Sequence, residues 1–113
     1  MQVRLKAEIY IQALTRRVFA AGAAAYIVRR GDADAGGLFV RVNRLDGHSA
    51  ILTIFTNMDG ARIWRVLAAL DTPDAEADAL LAREAARDPD IWIVEIEDRQ
   101  GRHFLDEPVE GAL

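Results

Sequence analysis

Hydrophobic positions near the start of the chain follow a helical period. Apolar residues recur there at spacings of four and three, which is the pattern of one face of an α-helix. These positions are Ala7, Ile11, Leu14, Val18 and Ala21. Gly22 follows where a left-handed residue commonly ends a helix. The pattern predicts a helix over residues 7–21, and the alternation of residues 4–12 leaves a short preceding strand open.

The period then changes to two, which is typical of strands. We expect strands over residues 24–30, 38–44 and 49–56, separated by loops rich in Gly and Asp. Because the connections are too short for crossovers, these three strands should form an antiparallel meander. Residues 63–70 predict a fourth strand, with a helix as the alternative.

A second helix and a buried strand are expected in the last third of the chain. Thr72 and Pro73 suit the start of that helix, and Pro89 ends it. Residues 91–97 are apolar on both sides of the predicted strand in its first half, and a short strand should follow through Phe104. Residues 106–113 contain three acidic residues and a proline, so we expect an acidic, frayed tail.

The order of these elements predicts one α+β domain over residues 1–105. Its architecture is expected to be an antiparallel sheet of four to six strands with two helices packed on one face. The composition agrees with a single core, since 51% of the 113 residues are hydrophobic.

Charge is divided unevenly along the sequence. Residues 1–65 hold ten Lys or Arg and five acidic residues, whereas residues 66–113 hold four Arg and thirteen acidic residues. If the division survives folding as a basic face and an acidic face, it favours association with other molecules. It identifies no reaction.

A second apolar stripe on the first helix is the best candidate for an interface. It consists of Leu5, Ile9 and Phe19, on the side opposite the predicted core. A homodimer with its two-fold axis at this helix would cover the stripe. Two tryptophans, Trp64 and Trp92, are also the kind of residue that interfaces use.

Composition and hydropathy suggest a cytoplasmic protein without a membrane anchor. There is no cysteine, which suits a reducing compartment. The longest apolar run, Val18 to Val28, has eleven residues, whereas about 20 are needed to cross a bilayer. The residues Thr15 to Phe19 resemble the core of a twin-arginine export signal, but Arg29 and Arg30 close the run at once, so a helix leading into a strand is preferred.

Three blocks of the sequence resemble a family of short bacterial proteins catalogued only as a domain of unknown function. The blocks are Arg29 to Gly36, Val42 to Gly47, and Asp88 to Arg99 with Gly101 to Phe104. The resemblance covers nearly the whole chain and is least in residues 57–72. It implies a single-domain bacterial protein with no assigned reaction, ligand or partner.

No catalytic motif, metal site or cofactor site is predicted. Ser49 is the only serine and lacks the context of a nucleophile. The loop containing Asp32 and Asp34 begins like a calcium loop, but Asn43 occupies the position that needs a bidentate glutamate. A polar hairpin loop is therefore the preferred interpretation.

Arginines near the first predicted hairpin supply the alternative function. Thirteen of the fourteen basic residues are Arg, which suits phosphate recognition. The candidate ligand-binding residues, for RNA or a phosphate ligand, are Arg29, Arg30, Arg41, Arg44 and His103. The acidic isoelectric point near 5.1 argues against a nucleic-acid partner. A hydrolase or nuclease built on Asp98, His103 and Asp106 is a further alternative and would require these side chains to converge.

The leading hypothesis is a small, non-catalytic protein-interaction domain that associates with itself. The expected partner is a second copy of the chain, which would form a homodimer. Binding of an unidentified protein is left open as an alternative.

Overall fold

The secondary structure agrees closely with the sequence pattern. A computed structural model describes residues 6–34 and 36–113. The elements are α1 (Ala7–Ala20), β1 (Ala24–Arg29), β2 (Leu38–Asn43), β3 (Ser49–Thr56), β4 (Arg62–Ala68), α2 (Asp74–Arg87), β5 (Trp92–Glu97) and β6 (Val109–Glu110). Both helices and five strands lie within two residues of their predicted positions, and the α+β class is confirmed. The short strand expected through Phe104 is absent from residues 98–105.

The sheet is mixed, not antiparallel, and its strands follow the order β1-β5-β2-β3-β4-β6. Strand β5 lies between β1 and β2, antiparallel to β1 and parallel to β2, and β6 is parallel to β4. The predicted meander of β1, β2 and β3 is therefore wrong. The physical reason is that Trp92, Ile93 and Val94 are all buried, and a strand that is apolar on both faces belongs inside a sheet.

The two helices lie on opposite faces of the sheet, which corrects the expectation of one shared face. Ile11, Leu14 and Val18 of α1 pack in a core with Val40 and other even-numbered residues of the strands. Ala77 and Leu81 of α2 pack in a second core with the odd-numbered Phe39, Ile51 and Ile93. Since successive strand residues point to opposite faces, the two cores lie on the two sides of the sheet. Five consecutive residues of β2, Leu38 to Val42, are buried, so this strand needs a cover on each side.

The connection from β1 to β2 crosses the start of β5 and is not the expected hairpin loop. The amide of Asp32 donates to the carbonyl of Asp90 at 2.9 Å, and the indole Nε1 of Trp92 donates to the carbonyl of Asp32 at 2.8 Å. A Cβ atom at Gly31 would lie 2.1 Å from the Asp90 carbonyl oxygen. Glycine is required there by the close approach of two backbones.

Residues 106–113 pack against the sheet and are not a frayed tail. The amide of Trp64 donates to the carbonyl of Pro108 at 2.9 Å, and the amide of Leu70 donates to that of Leu113 at 2.8 Å. The side chains of Val109 and Leu113 pack against the α1 core. These apolar residues, spaced among the acidic ones, explain why the segment is ordered.

Ion pairs join the basic and acidic parts of the sequence within one molecule. Arg17 lies 3.3 Å from Asp106, and Arg65 lies 3.5 Å from Glu110. Arg41 likewise faces carboxylates of α2 and β5. This pairing removes the main argument for two oppositely charged faces.

Candidate interaction surface

The two edges of the sheet are protected very differently. At one edge, β6 is only two residues long and is followed by the ordered C-terminal segment. At the other, β1 is six residues long, and no strand in residues 6–34 and 36–113 pairs with its outer side. An unpaired edge presents backbone N–H and C=O groups that can accept another strand.

Exposed apolar side chains surround this open edge on both faces of the sheet. On β1, Tyr26 is 45% exposed and Val28 is 54% exposed. On α1, Phe19 is 56% exposed. It lies four residues after Thr15 and three after Arg16, which line a groove with β1, so it is on the same side of the helix. We call Phe19, Tyr26, Ile27 and Val28, with the backbone of Ala24–Arg29, the β1 edge surface.

A groove between α1 and β1 forms one side of the β1 edge surface. It has a volume of about 400 Å³ and is lined by Ile11, Gln12, Thr15, Arg16, Ala25, Tyr26 and Ile27. Ala25 and Ile27 point to the α1 side because Ala25 pairs with Ile96 and Ile27 with Val94, both members of that core. The groove therefore runs directly beside the unpaired backbone.

On the α2 side, the ring of Tyr26 is fixed by two carboxylates of β5. Its hydroxyl donates to Glu95 Oε2 at 2.8 Å and approaches Glu97 Oε2 at 3.2 Å. The hydrogen bond to Glu95, with burial and the nearby charges, raises the pKa of Tyr26. The neutral phenol, which can donate to these carboxylates, is therefore favoured over the phenolate.

Arg41 lies at the centre of a polar network on the same face. It is only 9% exposed, and its guanidinium donates to Ser49 Oγ at 3.1 Å and to Asp78. Asp74 lies 3.3 Å from its Nη2 atom. Glu95 lies 3.9 Å from its Nε atom and also accepts from Asn43. Arg41 therefore holds α2 on the sheet.

The structure shows where two members of the predicted interface stripe lie. Phe19 belongs to the β1 edge surface, and Ile9 is 51% exposed on α1. Leu5 lies outside the described residues. Trp64 and Trp92 are buried in the core, so neither contributes to a surface.

The candidate ligand-binding arginines do not converge on a common site. Arg29 donates to the carbonyl of Pro89 at 2.9 Å, and Arg30 lies 3.4 Å from Glu8. Arg44 lies 3.4 Å from Asp46. With Arg41 buried, each of the four arginines makes its own intramolecular contact.

The residues of the hydrolase alternative also occupy separate local structures. Asp98 is buried and accepts two side-chain hydrogen bonds from Arg102, each at 2.9 Å. These bonds lower the pKa of Asp98. The Nδ1 atom of His103 accepts from the amide of Leu105 at 2.9 Å, and burial lowers the pKa of this imidazole. Asp106 pairs with Arg17.

Two other kinds of site are absent from the described residues. No three His, Cys, Asp or Glu side chains in residues 6–34 and 36–113 are grouped so that they could hold a metal ion. Over the same residues, neither helix is both long and apolar enough to span a bilayer.

A polar cavity at the start of α1 was not foreseen from the sequence. Its volume is about 250 Å³, and its polar lining residues include Lys6, Tyr10, Asp34, Thr56 and Arg62. Lys6 and Asp34 lie 3.5 Å apart. The residues come from α1, the β1–β2 connection, β3 and β4, so no sequence spacing could have connected them.

Comparisons with known proteins extend over almost the whole chain. The chain is 44% identical to a crystal structure of a DUF1491 family protein from Caulobacter crescentus CB15, with a TM-score of 0.85, covering 95% of this chain and 100% of that one. An NMR structure of a DUF1491 family protein from the same organism is also 44% identical, with a TM-score of 0.84, covering 97% and 100%. A solution structure of a protein from A. tumefaciens is 33% identical, with a TM-score of 0.80, covering 98% and 100%. No curated protein matches the chain significantly.

A family model described as a protein of unknown function (DUF1491) matches residues 5–106 of the chain. This agrees with the resemblance carried by the three sequence blocks. The chain therefore belongs to the DUF1491 family.

Proposed function

We propose that the chain is a non-catalytic protein-interaction domain that associates with itself through the β1 edge surface. One observation carries the proposal: a six-residue edge strand lacks a neighbour among the described residues, and exposed apolar side chains flank it, Tyr26 and Val28 on the strand itself and Phe19 on α1.

The open edge carries few of the devices that usually prevent association. Edge strands are commonly very short, or carry Lys, Pro or a bulge. The first five residues of β1, Ala24 to Val28, contain no charge and no proline. A register shift between Ile27 and Arg29 is the one irregularity of its pairing with β5. The opposite edge, with its two-residue β6, shows the protection that β1 lacks.

A second copy of the chain is the occupant that we propose. The edge is acidic beside its first residues, where Glu97 pairs with Ala24, and basic at its end, where Arg29 and Arg30 lie. An antiparallel arrangement of two identical edges places each basic end beside an acidic end. Tyr26 and Phe19 supply aromatic area of the kind enriched in interface cores. The cytoplasm, suggested by the lack of cysteine, is the proposed location.

Sedimentation velocity over roughly 5 to 500 μM tests the proposal, since a dimer with a dissociation constant of about 50 μM forms progressively across this range. We expect the wild-type protein to pass from monomer to dimer. Val28→Lys places a charge at the edge and should leave only monomer. Met58→Lys is the matched control, because Met58 is fully exposed on the turn between β3 and β4, and it should behave as wild type. A strictly monomeric wild type, or a Val28→Lys variant that dimerises as well as wild type, would contradict the proposal.

A further inference from the structure

We infer that the two copies pair β1 with β1 in antiparallel orientation, with Tyr26 on the two-fold axis, and so join two six-stranded sheets into one. The inference rests on the proposed self-association. It goes further by fixing the pairing mode and the register, and it excludes a dimer held only by contacts between the two α1 helices.

The alternation of side chains limits the registers that a two-fold axis allows. A two-fold axis perpendicular to the sheet places the α1 helices of both copies on the same side of the joined sheet. A residue that points to the α1 face must therefore lie opposite another residue that points to the α1 face. With Tyr26 on the axis, Ala25 lies opposite Ile27 of the second copy, and Ala24 lies opposite its Val28. Ala25 and Ile27 both line the α1 groove, so this register closes the two grooves against each other.

The bulge excludes a register moved toward the end of β1. The pairing of β1 with β5 is regular from Ala24 to Ile27 and shifts before Arg29. With Ile27 on the axis, the pairs on both sides of it would contain residues of the bulge. With Tyr26 on the axis, the three central pairs use only regular residues.

The charges exclude a register moved toward the start of β1. Glu97 lies beside Ala24 on the neighbouring strand, on the same face as Tyr26. With Tyr26 on the axis, Val28 of one copy faces Ala24 of the other, and Glu97 lies one strand beyond that Ala24. Arg29 follows Val28, so its backbone is about 10 Å from this Glu97, within reach of the arginine side chain. With Ala25 on the axis, Arg29 would lie beyond the start of the other β1 and away from Glu97. A parallel pairing would place like charges together.

The contacts of Tyr26 prepare it for the centre of such an interface. Its hydroxyl donates to Glu95 and lies 3.2 Å from Glu97, so the ring loses little side-chain freedom when a second copy binds. Both hydroxyl partners lie on β5, so the ring leans over β5 and leaves the outer backbone of residue 26 open to a second copy.

Single-cysteine variants test the register directly, because the chain contains no cysteine. Ala24→Cys and Val28→Cys proteins are prepared separately, mixed and oxidised. A disulfide requires Cα atoms within about 7 Å. Opposite residues meet this limit, whereas residues four positions apart along paired strands are separated by about 13 Å. We expect the mixture to form at least tenfold more disulfide-linked dimer than either variant alone.

Two further variants complete the experiment. Tyr26→Cys should form linked dimer by itself, since residue 26 lies on the axis. Met58→Cys, exposed on a distant turn, should link only at the rate of random collision. Sedimentation of the reduced proteins confirms that each variant still dimerises.

The outcomes separate this inference from the proposed function. If the reduced proteins dimerise but the mixture gives no more linked dimer than the single variants, the register is wrong and self-association stands. Efficient linking of Ala24→Cys alone would likewise overturn the register. If wild type and all variants remain monomeric, both the inference and the proposed function fail.

Discussion

The guanidinium of Arg17 donates two hydrogen bonds to the main-chain carbonyl of Phe104, from Nε at 3.1 Å and from Nη2 at 3.0 Å. Phe104 has a φ of 59°, a conformation that costs free energy for residues other than glycine. The same side chain of Arg17 pairs with Asp106. One arginine of α1 therefore holds the turn that directs the C-terminal segment back toward β4.

Arg17→Ala should lower the free energy of unfolding by about 2 kcal/mol, because hydrogen bonds from charged donors contribute about 1.5–3 kcal/mol. Arg16→Ala is the matched control on the same helix, since Arg16 is exposed, and its cost should stay below about 0.5 kcal/mol. Urea unfolding at low micromolar concentration, where the proposed dimer would be dissociated, compares the two. Equal losses in both variants would show that the contact to Phe104 contributes nothing specific.

Glu107 anchors the C-terminal segment from its other side and makes stability depend on pH. Its Oε1 atom accepts hydrogen bonds from the hydroxyl of Tyr10 and from Nε1 of Trp64, the latter at 2.9 Å. Burial opposes ionisation of Glu107, but the hydrogen bonds from Tyr10 and Trp64 outweigh it and lower its pKa.

A carboxyl group with a lowered pKa in the folded state stabilises the fold above its unfolded pKa, and this contribution is lost as pH falls through the folded value. Glu107→Gln should therefore be less stable than wild type at pH 7, and the difference should shrink as the pH falls below about 4.3, the ordinary pKa of glutamate. Thermal unfolding from pH 7 to pH 3 measures both proteins. A difference that is constant over this range would contradict the role given to the Glu107 carboxylate.

Gly31 should tolerate no side chain, because its backbone touches the start of β5. A Cβ atom would lie 2.1 Å from the carbonyl oxygen of Asp90 and 2.6 Å from the carbonyl carbon of Ile91. Gly31→Ala must displace backbone, and we expect a loss of about 3 kcal/mol in the free energy of unfolding. Gly37→Ala is the control in the same connection, since the nearest atom to its Cβ is 3.8 Å away. Chemical denaturation should show a loss below about 1 kcal/mol for the control, and comparable losses would refute the close approach.

Elements that depend on local chemistry were predictable from the sequence. Gly22 and Pro89 lie just beyond the ends of the two helices, and the period-two patterns located five strands. The order of the strands was not predictable in the same way, because β5 joins β1 and β2 through contacts that are distant along the chain. The apolar run of β5 did indicate a central strand, but not its neighbours.

The sequence of β2 indicates that a helix covers each face of the sheet. Phe39 stands among Leu38, Val40 and Val42, so both faces of this strand are apolar and need a cover. The burial of Arg41 could not be predicted from the sequence, because its partners Asp74 and Asp78 lie on α2, far from it along the chain. The C-terminal segment was misjudged because its acidic composition hides Val109 and Leu113, which pack on the core.

The candidate surface was predicted in one part only. Helical periodicity identified Phe19 as lying off the core face, and it is exposed. Tyr26 and Val28 were missed because β1 was expected to be followed directly by β2. The sequence does not indicate which strand, if any, pairs with the outer side of β1, so the open edge follows only from the strand order.

The most direct test of self-association through β1 is amide hydrogen exchange at two protein concentrations, about 20 μM and about 1 mM, on either side of a dissociation constant of about 50 μM. We predict that amides of Ala24–Arg29 that point away from β5 exchange at least about threefold more slowly at the higher concentration, as mass action allows for a dimer of this affinity, while the turn at Met58 exchanges equally at both. Exchange rates in β1 that do not change with concentration, under conditions where sedimentation detects a dimer, would place the interface elsewhere and contradict the account.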